Sequence, residues 1–199
     1  MVNEYHLRTP LKDEDIKKLK VEDIVYISGI LVTARDEAHE MALETLGKGQ
    51  SLPIDMKGLA LYHCGPVAKK INNTWRIIAA GPTTSMRMEG VEAEFIEKTG
   101  VKMIIGKGGM GEKTAESLKK NNAVYAVFTG GAGALAAERI KAVKEVYWLE
   151  ELGIPEALWV FEVEEFGPLI ITMDSYGNNY YKVRMDEIKE RGERIKKEI

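Results

Sequence analysis

Apolar and polar positions alternate along this chain in two rhythms, and the changes of rhythm mark its elements. Asp23-Ile24-Val25-Tyr26-Ile27-Ser28-Gly29 reads as a strand. From Thr33 the spacing lengthens: Ala38, Met41 and Ala42 fall at helical intervals, Thr33 can cap with Asp36 three residues on, and Gly47 ends the helix. Ala60 to Cys64 and Trp75 to Ala80 read as strands, joined by a Gly-Pro turn and a polar Lys-Lys-Ile-Asn-Asn loop. A helix follows from Glu89 to Lys98, closed by Gly100. Strand, glycine and helix then recur twice: Val101 to Ile105, Gly106 to Gly111 and Glu112 to Lys120, then Val124 to Phe128, Gly130 to Gly133 and Ala134 to Lys141.

That alternation predicts an α/β fold whose sheet contains parallel members. Beyond Tyr147 two apolar strands are expected, Leu158 to Val163 and Leu169 to Met173, separated by Glu164 to Pro168, with a turn at Ser175-Tyr176-Gly177-Asn178. Residues 1–20 read as an extended arm and a short charged helix, since Asp13-Glu14-Asp15 precedes Lys17-Lys18. The segment 185–199 reads as a charged peripheral helix. A length of 199 residues and 45% apolar content fit one domain, 1–199, with a real core.

Charge and cysteine content narrow the function classes. A formal net charge of −3, from 28 basic and 31 acidic residues, gives no global positive field suited to nucleic acid or an anionic membrane. The single cysteine, Cys64, excludes an intrachain disulfide framework and a multi-thiolate metal or cluster site built by this chain alone. A cytoplasmic location follows as the expectation. The N-terminus lacks the apolar core of a secretion signal, and the longest apolar stretch, Ala123 to Ala137, is interrupted by three glycines.

Candidate chemistry gathers in three loop-to-helix segments: Thr33-Ala34-Arg35-Asp36-Glu37-Ala38-His39, Gly81-Pro82-Thr83-Thr84-Ser85-Met86-Arg87 and Gly106-Lys107-Gly108-Gly109. Arg35 lies in the first turn of its helix, where a cation opposes the helix dipole unless an anion compensates. A surface pair with Asp36 or Glu37 is the plain reading. Arg87 follows a run of hydroxyls, and solvation is its plain reading. His39 stands one turn after Arg35, as a structural histidine or one lining a ligand. Gly106 to Gly111 satisfies G-x-G-x-x-G between a strand and a helix, an arrangement that aims amides at pyrophosphate. The following strand, however, ends in Phe128-Thr129-Gly130-Gly131 without the acidic residue that would hold a ribose. Glu112-Lys113-Thr114 likewise fails the Walker pattern. An anion-facing loop with Lys107 as its charge, or a structural turn, remains.

Together these segments resemble the β subunit of class I fumarate hydratase and of the related L(+)-tartrate dehydratase, equivalent to the C-terminal domain of single-chain class I fumarases. The resemblance runs through Asp23 to His39, Leu52-Pro53-Ile54-Asp55-Met56-Lys57-Gly58, Gly81 to Met88, Gly106-Lys107-Gly108, Val124 to Ala132, Trp159 to Val163 and Asp174 to Asn178. It implies a three-layer β/β/α swivelling domain with a mixed sheet. It also implies a 4Fe-4S cluster held by a separate α subunit, in a heterotetramer of two α and two β subunits, with the active site shared between them. By motif, Arg35, Arg87 and Lys107 are placed on the carboxylates of a small diacid and Thr83 beside the reacting carbons. The implied reaction is reversible hydration of fumarate to (S)-malate, with tartrate dehydration as the nearest alternative. A nucleotide-binding module and a purely structural partner are the alternatives of a different class.

Overall fold

The computed structural model describes residues 2–198. Five strands run parallel in the order β1 (Glu4–Arg8), β2 (Ile24–Thr33), β3 (Ala60–Tyr62), β6 (Met103–Gly106) and β7 (Val124–Val127). The extended arm thus becomes an edge strand, linked to β2 through the short helix α1 (Asp13–Ile16). A long final strand, β9 (Leu158–Met173), is antiparallel to both β7 and β2. The pairings therefore close a ring, β2-β3-β6-β7-β9, and β8 (Ile140–Tyr147) adds to the outer side of β9.

Period-two burial explains the closure. Within β3, β6 and β7, Tyr62, Ile105 and Ala126 join one core with Ile27, Phe161 and Phe166, while the intervening Leu61, Ile104 and Tyr125 join a second. The second core packs against α2 (Asp36–Gly47), α3 (Glu92–Thr99) and α4 (Glu112–Asn121) through Ala38, Ala42, Phe95, Ile96 and Leu118. Two walls of sheet and one helical layer result, in agreement with the expected α/β class and its β/β/α layering.

Several boundaries differ from the sequence expectation, each for a physical reason. Thr33 does not cap α2; it ends β2, and its hydroxyl accepts the Trp159 amide at 3.2 Å, leaving Arg35 as the capping residue. The polar loop after the Gly-Pro turn is a strand, β4 (Val67–Ile71), hairpinned to β5 (Thr74–Ala79) by Asn72 and Asn73, both left-handed. The helix expected from Glu89 begins only at Glu92, as α3, after a separate 3-10 turn, Ser85–Met88. The helix expected to Lys141 stops earlier, as α5 (Gly133–Glu138), because Ile140 enters β8. The two strands expected beyond Tyr147 are one, β9, which carries Gly167-Pro168 within it; it is preceded by the single turn α6 (Leu149–Leu152). The last helix, α7 (Tyr180–Glu198), begins before Met185 and leaves Val183, Met185, Ile188 and Ile195 exposed; Met1 and Ile199 lie outside the described residues. No described helix is long and apolar enough to cross a membrane.

Candidate active site

Three loops carry the candidate residues, two following the parallel strands β2 and β6 and one following β5 of the hairpin. In the first, Arg35 has extended backbone and its side chain runs across Gly65, where a Cβ would lie 2.8 Å from Nη1. Its Nη2 meets Glu156 Oε1 at 3.1 Å, a nearer partner than the neighbouring Asp36, whose Oδ2 is 4.0 Å away. The buried Nε has no hydrogen-bond partner. Burial pushes the Glu156 carboxyl up, against the pull of Arg35.

Arg87 reaches the same junction from the 3-10 turn. Its Nε donates to Asp36 Oδ1 at 3.0 Å and its Nη2 to Oδ2, a planar fork around one carboxylate. The hydrogen bond from Arg87 holds the Asp36 carboxyl below its usual value, burial opposing. Asp36 thus stands between two guanidiniums, and the Arg87 side chain remains 45% exposed.

Backbone pairing binds the second loop to the third. The Thr83 amide donates to the His63 carbonyl at 2.7 Å, Thr84 bridges Lys107, and the Ser85 amide donates to the Lys107 carbonyl at 3.1 Å. Thr83 is half-buried and Lys107 exposed. Among the described residues no carboxylate pairs with the Lys107 ammonium, whose stem passes over Gly130.

The glycine loop owes its spacing to packing. A Cβ at Gly106 would overlap the Ser85 hydroxyl, one at Gly109 would lie 2.9 Å from the Tyr181 ring, and one at Gly111 2.6 Å from the Glu89 carboxyl carbon. Glu89 also fills the N-terminus of α4: it accepts the Gly111 amide at 2.7 Å, the Thr114 amide at 3.3 Å and the Thr114 hydroxyl at 2.7 Å. A resident carboxylate therefore occupies the place where a pyrophosphate would sit.

Sequence reasoning raised His39 but missed the two groups it meets beneath the loops, His63 and Glu92. His39, His63 and Glu92 are fully buried together, with Glu92 Oε2 at 2.9 Å from His63 Nε2 and 3.5 Å from His39 Nε2. Glu92 reads in the sequence as an ordinary first-turn acid, and only its distant partners give it away. A groove of about 570 Å³ lies elsewhere, between α4 and α7, lined by Met110, Ala115, Tyr181 and Met185.

Comparison with known proteins defines the class. The profile of the family described as Fumarase C-terminus matches residues 1–184, and the chain belongs to that family. The chain is 45% identical to the L(+)-tartrate dehydratase subunit beta of Escherichia coli (strain K12) over 193 residues, 97% of this chain and 94% of that one. The corresponding figures for the same subunit of Shigella sonnei are also 45%, 97% and 94%. A Geobacillus stearothermophilus protein provisionally named fumarate hydratase class I is 42% identical over 88% of this chain, which spans 33% of its length.

Proposed function

We propose that the chain is the β subunit of a hydro-lyase that interconverts fumarate and (S)-malate at a site shared with an α subunit. One observation carries the reading: two guanidiniums, Arg87 and Arg35, converge on one point marked by Asp36, next to loops that carry Thr83 and an ammonium, Lys107, for which no carboxylate partner is found among the described residues. A four-carbon diacid would bring two carboxylates for Arg35, Arg87 and Lys107 to bind, each charge-assisted hydrogen bond contributing about 1.5–3 kcal/mol. The exposed Asp36–Arg87 pair is worth at most about 1 kcal/mol, so an incoming carboxylate can compete for the fork. Thr83, whose amide is held by the His63 carbonyl, serves in this reading as proton donor and acceptor at the reacting carbon.

The described residues of this chain do not fit a 4Fe-4S cluster. Cys64 is the sole cysteine, it is 1% exposed, and burial pushes its thiol up, away from the thiolate a cluster needs. In this reading the cluster is carried by the α partner, in a cytoplasmic heterotetramer of two α and two β subunits. Tartrate is the second reading, favoured by the full-length match to tartrate dehydratase β subunits.

Anaerobic co-expression with the α subunit, followed by turnover assays on fumarate, (S)-malate and L(+)-tartrate, tests both readings. The complex is expected to hydrate fumarate and this chain alone to be inactive. Turnover by the isolated chain would overturn the shared site, and a higher kcat/KM for tartrate would replace the substrate.

A further inference from the structure

The buried cluster under the loops has a determinate hydrogen-bond logic. His39 Nδ1 lies 2.7 Å from the Arg35 carbonyl, which can only accept, so Nδ1 carries a proton. Its Nε2 then faces the Glu92 carboxylate; bare, it would set a lone pair against an anion in a fully buried site. Protonated, it makes an ion pair. His63 differs, because its Nδ1 lies 2.9 Å from the Ser85 hydroxyl, which can donate. A neutral His63 can therefore accept from Ser85 and turn Nε2–H toward Glu92. Ser85 Oγ in turn accepts the Lys107 amide at 3.2 Å.

We infer that Glu92, His39 and His63 share a single extra proton, resident on His39, and form a neutral buried clamp that positions the loops bearing Arg35, Thr83 and Lys107. Hydrogen bonds run from the Lys107 amide to Ser85, between Ser85 and His63, and from His39 to the Arg35 carbonyl; Glu92 is held between the two imidazoles by charge, at 2.9 and 3.5 Å, without an aligned hydrogen bond to either. His63 also accepts the Thr83 amide on its carbonyl and donates its own amide to Ile105. All three residues are thus positioning residues, none of them touching substrate.

Charge pairing favours the same state, against the cost of burial. Desolvation disfavours an imidazolium at both histidines, but Glu92 outweighs it at His39, whose pKa is raised, and not at His63, whose pKa is lowered. Desolvation also opposes an ionised Glu92, and the two imidazoles more than offset it. Asp36 is the other ionisable group acting on both histidines, and Tyr125 faces Glu92. The three side chains could offer ligand atoms to a metal, since these lie within 4.8 Å of one another. Two imidazoles and one carboxylate also suit a zinc ion, so metal content separates a shared proton from a bound ion. The Phe95 ring, centred 4.4 Å from that of His39, adds an apolar wall.

The positioning claim rests on the proposed site, whereas the proton assignment does not. Long-range ¹H–¹⁵N spectra of the full chain labelled at histidine are expected to show His39 as imidazolium and His63 as the Nε2–H tautomer on both sides of about pH 6.5, the unperturbed imidazole value. Metal analysis of the same sample is expected to find no stoichiometric divalent ion. Two neutral rings, two cationic rings or a bound equivalent of metal would each overturn the clamp. In the assembled enzyme Glu92→Gln is expected to abolish the His39 imidazolium signal and lower kcat/KM on the order of a hundredfold. Should Arg35→Met destroy activity while Glu92→Gln leaves it intact, the clamp fails and the proposed function stands. If neither variant matters, the site itself is misplaced and the positioning claim falls with it.

Discussion

Two loop-to-helix junctions in this molecule exchange the roles their sequences advertise. Gly106 to Gly111 carries the spacing of a phosphate-binding turn, yet the helix it opens is filled by the carboxylate of Glu89. The junction at Arg35 has no glycine and no side-chain cap, yet it gathers two guanidiniums around Asp36. A helix N-terminus attracts anions through its free amides. Whether it is a site depends on what the chain has already put there. The glycine loop contributes through its other end, by fixing Lys107 against Ser85.

The largest effect should come from the first junction. Arg87→Lys keeps the charge but loses the fork, and with the α subunit present it is expected to reduce kcat/KM by roughly tenfold to a hundredfold, the equivalent of about 1.5–3 kcal/mol. Steady-state kinetics with each diacid would show it. Unchanged kinetics would place the substrate away from this junction.

A substitution at the second junction should give the opposite pattern. Glu89→Ala removes three hydrogen bonds from the start of α4, and a stability loss of about 1–2 kcal/mol is expected in urea unfolding, as for a lost helix cap. Turnover at a temperature where the variant stays folded should be near that of the parent. A loss of activity larger than the loss of stability would mean that the glycine loop, rather than the Arg35 junction, receives the ligand.

The contrast also explains how far the sequence could be read. Strands such as β3, β6 and β7 were legible because both faces are buried, and α2 and α4 because each buries one stripe. The hairpin strand β4 escaped because Val67, Lys69, Lys70 and Ile71 are exposed, and β8 because it is an edge strand paired only with β9. Arg35, Thr83, Arg87 and Lys107 could be picked out as loop residues of the right chemistry. Their partners could not: Asp36 lies 51 positions from Arg87, and Glu156 meets Arg35 only because β9 returns beside β2. Local sequence announces donors, whereas long-range topology decides which of them are already engaged.

The smallest expected effect concerns the carboxylate in the first junction. The hydrogen bond from Arg87 lowers the Asp36 pKa in the folded chain below the unfolded value of about 3.9. A folded pKa below the unfolded one means that folding releases protons as pH falls into that range only at a cost, so the stabilisation is complete above the unfolded value and disappears as pH drops through the folded one. Because the pair is largely exposed, its contribution should stay under about 1 kcal/mol. The stability difference between the parent and Asp36→Asn, measured by urea titration, should be constant near neutrality and shrink in acid. A difference that persists undiminished below the folded pKa would show that Asp36 acts through packing, and that the guanidinium pair does not depend on its charge.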